Sequence, residues 1–368
     1  MTKAGKIDIN AMKKFVNKKV GLDIAHDLNQ DNPTAVKEWI PTGSRWLDSI
    51  ICRGEMAGIP VGKITELAGL SSAGKSYMAC QIAAKAQIKG HCVVYFDAES
   101  AIDPAFLTKS GVDINSDFLY VQAVSVEKTL ETIEDLMTQY PNTQFLFIWD
   151  SIAATSAEKD LEGDFNPQSS MAVKARILAK AFPKLTIPLA NQQCTLLLIN
   201  QLKTNITSNI AEAMTTPLVA PGGKAIVYFC SLRIWLTKRK AKASFVTDGT
   251  GVRIGSEVKV KIEKSRFGSE GRTCGFKILW GKEVGIQDEE SWLEALRASG
   301  SERFKPGAWN KIYDRDGKEY KFQRSQWIKK LQDPEFRSVV FDIMDDEIIR
   351  KFESEGKNFG LEGESEEA

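Results

Sequence analysis

Histidine is scarce in this chain. Only His26 and His91 occur in 368 residues, too few for a histidine-based zinc site and leaving little for a Ser-His-Asp triad. Catalysis by other groups is expected. The six cysteines (Cys52, Cys80, Cys92, Cys194, Cys230, Cys274) contain no CxxC pair, and several sit in apolar runs, so they read as buried, reduced thiols. Long apolar runs are also missing. No stretch reaches the roughly 20 residues that span a bilayer, and residues 1–20 hold no signal-peptide core, so a cytoplasmic protein with no membrane partner is expected. An excess of charge is missing as well: 49 Lys and Arg against 48 Asp and Glu leave a net charge of +1. With no global basic field, any nucleic-acid site must come from local arrangement.

What remains is an ordinary globular composition, 43% hydrophobic and 26% charged, in a length that fits one large domain with a small companion. Residues 8–20 place Ile9, Met12, Phe15, Val16 and Val20 at helical spacing between lysines. From Gly62 the pattern alternates. It predicts a strand over 62–68, a glycine-rich turn, a helix over 74–89, a strand over 92–97, a helix over about 126–140 and a strand over 144–150. Such alternation implies a parallel sheet covered by helices. Residues 170–190 begin as a helix that Pro183 and Pro188 are expected to kink or end, and a strand follows over 194–200. Strand-like runs over 226–238, 256–264 and 273–280 read as hairpins extending the sheet. Residues 283–350, rich in aromatics such as Trp292, Trp309 and Trp327, suggest a small α+β domain. Residues 351–368, rich in Glu, Gly and Ser, read as a solvated, disordered acidic tail, either for solubility or as a mimic of DNA phosphates.

One motif carries chemistry by itself. Gly69, Leu70, Ser71, Ser72, Ala73, Gly74, Lys75 and Ser76 satisfy GxxxxGK[ST] between a predicted strand and a predicted helix, as a phosphate-binding loop requires. Its backbone N–H groups and helix N-terminus would cradle phosphate, Lys75 would reach the β and γ oxygens, and Ser76 would hold Mg²⁺. The apolar strand 144–150 ends in Asp150, the layout of a carboxylate that supports Mg²⁺ through its water shell. Strand 92–97 leads into Asp97-Ala98-Glu99. From the residues alone, Glu99 reads either as a group polarising the attacking water or as a cap or solvated acid.

The series Ile40-Pro-Thr-Gly-Ser44, Leu47-Asp48, Gly62 to Glu66, the phosphate loop, Asp97 to Glu99, Ala101 to Pro104, Asp150-Ser151, Leu198 to Gln201 and Ala225 to Arg233 resembles the RecA family of recombinases in order and approximate spacing. The likeness runs from about residue 40 to about residue 350. Val260 to Arg266, the Pro188 break and the aromatic C-terminal region are similar to the UvsX-like recombinases of tailed bacteriophages. The resemblance implies a RecA-like P-loop NTPase core over 41–282, mostly parallel with an antiparallel extension. An N-terminal helix and linker over 1–40 would serve oligomerisation, and the α+β domain would occupy 283–350.

It also implies roles. Glu99 matches the carboxylate that activates water, and Gln201 the γ-phosphate sensor. Lys264 and Arg266 match the basic pair that reaches a neighbouring subunit's γ-phosphate. Tyr77 joins the nucleotide contacts, and Asp103 and Phe106 fall where the adenine is bound and stacked. Loops over about 162–170 and 202–221 would hold DNA, with Met171 and Ile206 as wedges and Arg176, Gly222, Gly223 and Lys224 at phosphates. The implied protein is a DNA-dependent ATPase using ATP and Mg²⁺. It would form helical filaments on single-stranded DNA and exchange strands with a homologous duplex, aided by single-strand-binding and mediator proteins. A RecA-fold hexameric helicase or other DNA motor, and an accessory paralogue without turnover, are the alternatives. Departures stand out too. Pro183 occupies a position where bacterial relatives place a DNA-contacting arginine, Lys203 replaces an arginine after Gln201, Leu70 and Ala73 alter the loop interior, and the second DNA loop is longer.

Overall fold

The computed structural model describes residues 8–21, 24–30, 32–162, 170–205, 209, 214–238, 244–280 and 284–349. The chain divides between Glu38 and Trp39. In the first unit, the helix Ile9–Val20 starts where Asp8 Oδ1 accepts from Ala11 N at 3.1 Å and stops at Gly21, whose φ of 74° only glycine adopts without cost. Ile9, Met12, Phe15 and Val20 are exposed along it.

The second unit is built on a ten-stranded sheet. Six strands run parallel, in the order Leu232–Thr237, Ile64–Gly69, Thr195–Gln201, Phe145–Asp150, Cys92–Asp97 and Phe118–Gln122. Beyond Leu232–Thr237 the sheet continues antiparallel through Arg253–Ser265, Thr273–Trp280 and Val284–Gln287, and Phe245–Thr247 pairs with Arg253–Ser265. The expected α/β architecture is therefore present, with a last strand lying past residue 282. The inner parallel strands are buried almost throughout and mostly apolar, Glu66 and Asn200 being exceptions, because helices cover both faces. Lys75–Ile88 buries Met78, Ala79, Ile82 and Ala83 against one face, while Val126–Gln139 and Ser170–Gln192 bury Ile133, Leu178, Phe182 and Leu189 against the other. All six cysteines are free; five are buried and Cys92 is half-buried. No helix among the described residues is long and apolar enough to cross a membrane.

Two local expectations change, the end of a helix at its prolines and the start of a strand, and one strand is added. The helix Ser170–Gln192 runs through both Pro183 and Pro188. Each proline sits on the solvent face between buried Phe182, Leu185 and Leu189, so water can take the carbonyls that lose a backbone donor while the apolar face keeps its packing. Residues Lys224–Phe229 form a helix, and the predicted strand begins only at Leu232. An apolar run such as Ala225 to Phe229 does not distinguish a buried strand from a buried helix. The turn at Gly222 and Gly223, with φ of 108° and 74°, leads into the helix, and the burial of Ala225 and Ile226 decides for it. Strand Phe118–Gln122 was not predicted, because an edge strand with Leu119 and Tyr120 exposed lacks a clean alternation.

Past the sheet, the helix Glu289–Ser299, the three-stranded sheet of Phe304–Lys305, Asn310–Tyr313 and Glu319–Phe322, and the helix Pro334–Met344 surround Trp292, Leu296, Phe322, Trp327 and Phe336. One buried carboxylate, Asp288, ties this region to the start of the helix Arg45–Ile51, and a second, Asp48, orders the turn before that helix. Asp48 Oδ1 accepts from Thr42 N at 3.0 Å and Thr42 Oγ1 at 2.7 Å. Asp288 accepts from Ser44 Oγ at 2.7 Å, Trp46 N at 3.2 Å and Trp292 Nε1 at 2.6 Å. Burial pushes Asp48 up to about 7, against the pull of the Thr42 hydrogen bonds, and Asp288 adds to the rise.

Because its folded pKa lies above the unfolded value, Asp48 binds a proton in the native state that the unfolded chain has released between about pH 4 and pH 7. Its contribution to stability is full below that window and falls as pH rises through it. Asp48→Asn should flatten the decline in melting temperature between pH 5.5 and pH 8. Parallel pH profiles for the two proteins would show that Asp48 does not titrate in that range.

Candidate functional site

The phosphate loop leaves the carboxyl end of Ile64–Gly69 and enters the helix Lys75–Ile88. At Gly69 an added Cβ would lie 2.7 Å from Leu236 O. At Gly74, with φ of 87°, it would lie 2.4 Å from Ile278 Cδ1, so the backbone closes here only without side chains. Gly74 precedes the helix and offers no side-chain cap, which leaves the first N–H groups and the positive end of the helix dipole to a ligand. Ser71 and Ser72 are exposed, Leu70 is half-buried and Ala73 is buried.

Lys75 is buried, and its Nζ donates to Leu70 O at 3.1 Å. Burial lowers its pKa, while the carboxylates of Asp150 and Glu99 pull it back. Asp150 moves the other way, raised by burial and restrained by hydrogen bonds from Ser76 and Tyr95, whose hydroxyl donates to Asp150 Oδ2 at 2.7 Å. The next peptide, Asp150–Ser151, is cis.

Glu99 is held from two sides. Ser151 Oγ donates to its Oε1 at 3.1 Å, and Gln201 Nε2 donates to the same oxygen at 3.2 Å. Asp97 aims it by accepting from Glu99 N, Ala101 N and Ile102 N, at 3.0, 2.9 and 3.1 Å. Ser76, Asp97, Glu99, Phe106 and Asp150 thus line one cleft of about 250 Å³. A second cleft of about 510 Å³ opens beside it, lined by Ser72 through Tyr77, Phe106, Lys238, Arg253 and Trp280. Ser76 and Phe106 belong to both. Asp103 caps the short helix Pro104–Lys109 by accepting from Ala105 N at 3.1 Å, which fixes the turn that presents Phe106 against Tyr77, ring centroids 6.0 Å apart.

A model of the family described as RecA N-terminal domain matches residues 7–286. Protein RecA of Mannheimia haemolytica is 32% identical over 304 residues, which cover 82% of this chain and 77% of that protein. The chain belongs to the RecA family. Among solved structures, the crystal structure of the RadB recombinase matches at 21% identity and a TM-score of 0.48, over 67% of this chain and 98% of that one.

The remaining candidate residues lie elsewhere. Lys264 pairs with Arg233, near the amino end of the parallel strands, whereas the phosphate loop follows Gly69 at their carboxyl end. Its Nζ donates to Val227 O, Tyr228 O and Cys230 O, at 2.5, 3.2 and 2.9 Å, and Arg266 Nη2 donates to Tyr228 O at 2.9 Å. Both cations thus cap the carboxyl end of the helix Lys224–Phe229, where they also complement its dipole. Lys224 opens that helix directly after Gly222 and Gly223. Arg176 is exposed on Ser170–Gln192. Met171 lies in the first turn of the same helix, with its side chain outside the described set. Ile206, most of the 162–170 loop, much of the 202–221 loop and the acidic tail lie outside the described residues.

Sequence reasoning missed several partners. Tyr95 on Asp150, Lys238 on Ser72 O at 3.0 Å, and Arg253 stacked 3.8 Å from the Phe245 ring beside Trp280 carry no local motif. The buried Glu66 was visible only as part of a family string. It accepts from Arg233 Nε at 2.6 Å and Asn200 Nδ2 at 2.8 Å, and Asn200 Nδ2 also donates to Pro221 O at 2.8 Å.

Proposed function

We propose that this chain is a DNA-dependent ATPase that assembles as helical filaments on single-stranded DNA and pairs that strand with a homologous duplex, in the manner of the UvsX-like phage recombinases. One observation carries the reading. Gln201 donates to Glu99 Oε1 at 3.2 Å and stands at the start of the 202–221 segment, so the carboxylate facing the nucleotide and the segment assigned to DNA meet at one hydrogen bond.

Lys75 and the loop N–H groups would hold the β- and γ-phosphates, while Phe106 and Asp103 bound the base. The residues fit a magnesium ion: the hydroxyl of Ser76 and the carboxylate of Asp150 are already hydrogen-bonded to each other at the cleft. Bound there, Mg²⁺ would supply charge neutralisation at the phosphate oxygens. Glu99, oriented by Asp97, Ser151 and Gln201, would take the proton of the attacking water. Lys264 and Arg266 are directed away from this chain's own phosphate loop, which supports their action on the nucleotide of an adjoining copy, an arginine-finger arrangement. The exposed apolar row Ile9, Met12, Phe15 and Val20 fits docking on that copy. Single-strand-binding and mediator proteins in a cytoplasmic setting complete the proposal. Arg176 and the Gly222 to Lys224 turn would grip phosphates without reading bases, so DNA affinity should fall steeply with salt.

The decisive experiment measures ATP turnover with and without single-stranded DNA, alongside electron microscopy with a nonhydrolysable analogue. Helical filaments that need nucleotide, and turnover that rises with DNA, are expected. Monomers under all conditions with unaltered turnover would sink the reading.

A further inference from the structure

We propose that Lys174 is a positioning residue that couples the DNA-side end of the helix Ser170–Gln192 to the carboxylate of Glu99, through the turn that follows Asp150. The inference rests on the DNA-dependent ATPase reading and extends it to a residue outside the phosphate-loop and γ-sensor motifs.

Lys174 is half-buried, and its ammonium donates to Thr155 O at 2.7 Å and Ala153 O at 3.1 Å. Those carbonyls belong to a compact turn. Thr155 Oγ1 donates to Ser151 O at 3.0 Å and accepts from Trp149 Nε1 at 2.8 Å, while Ala154 N donates to Ser151 Oγ at 3.3 Å. Ser151 Oγ in turn donates to Glu99 Oε1. A continuous set of hydrogen bonds therefore runs from Lys174 to the oxygen that also receives Gln201 Nε2. Gln201 approaches from the strand before the 202–221 segment, and Ser151 approaches from the turn tied to the helix after the 162–170 segment. The two segments assigned to DNA thus converge on one carboxylate oxygen by separate routes.

The chemistry of Lys174 suits a coupling role. Charge-assisted bonds to two carbonyls are among the stronger hydrogen bonds in a protein and fix the helix against the turn. Burial draws its pKa down to about 8, with Lys203 pushing the same way and Asp160 opposing. A phosphate that displaces the start of this helix, where Arg176 is exposed two residues on, would pull the turn with it and change the hold of Ser151 on Glu99.

The test compares wild type, Lys174→Met and Lys174→Arg in the full-length chain. Methionine keeps the apolar stem without donors, and arginine restores donors. Lys174→Met should cut the ratio of DNA-stimulated to DNA-free kcat by about tenfold, with the KM for ATP, single-stranded DNA affinity and melting temperature near wild type. Lys174→Arg should recover most of the ratio. The coupling role is overturned if Lys174→Met stays fully stimulated, if its loss merely tracks weaker DNA binding or a lower melting temperature, or if Lys174→Arg is no better than methionine. A wild-type chain that DNA does not stimulate overturns the ATPase reading itself, and the inference with it.

Discussion

Lys75→Ala is expected to lower ATP turnover by about 100- to 1,000-fold, the cost of removing one preorganised charge at a transferring phosphoryl group. The same change should leave the melting temperature unchanged or slightly higher. The ammonium is buried at a cost, which shows in its lowered pKa, and its hydrogen bond to Leu70 O is the only one it makes in the chain among the described residues. Loss of activity without loss of stability separates a functional cation from a structural one. Lys75→Arg should rescue poorly, because a planar guanidinium replaces a compact ammonium in a loop shaped around the lysine stem. Steady-state kinetics with calorimetry reads both effects, and a fall in turnover smaller than tenfold would contradict the assignment. Under the proposed function, Lys75→Ala should also lose nucleotide-dependent filaments.

The second large effect concerns stability. Arg233 and Glu66 form a buried ion pair at 2.6 Å, with side chains 8% and 0% exposed on neighbouring strands. Removing the guanidinium leaves a carboxylate with Asn200 as its remaining side-chain donor, deep in the sheet. Arg233→Ala should destabilise the chain by about 3–5 kcal/mol. Glu66→Gln combined with Arg233→Leu should recover more than half of that loss, because neither residue then carries an unpaired charge. Urea unfolding of the single and double variants measures the coupling, and additive single effects would show that the pair is not the source. The consequence reaches the candidate site. Asn200, which bridges Glu66 and Pro221 O, precedes Gln201, so the Arg233→Ala chain should also lose part of the response of turnover to DNA.

The candidate nucleotide half of the site was legible because its motif is contiguous. A phosphate loop needs glycines, a lysine and a hydroxyl at fixed spacing within one strand-turn-helix, and Gly69 to Ser76 supply them. Asp150 was readable for a similar reason, as the first charge after an apolar strand. The role proposed for Lys264 and Arg266 was readable only through resemblance. Nothing in Lys264-Ser265-Arg266 announces that its cations cap the helix Lys224–Phe229.

What the sequence by itself determined is the set of local conformations whose causes lie within a few residues: the phosphate loop, the apolar parallel strands, the helix starts at Asp8 and Ser125, and the choice of an α/β fold. Tertiary structure decided the rest. Two prolines remain inside one helix because its buried face outweighs two lost backbone bonds on the wet side. An apolar run after Gly223 became a helix because Ala225 and Ile226 found a face to pack on. Glu99, Ser151 and Gln201 meet because parallel strands end on one edge of the sheet, up to 102 residues apart in the chain. Sheet order and register place those groups together, and neither is written in any short window of residues.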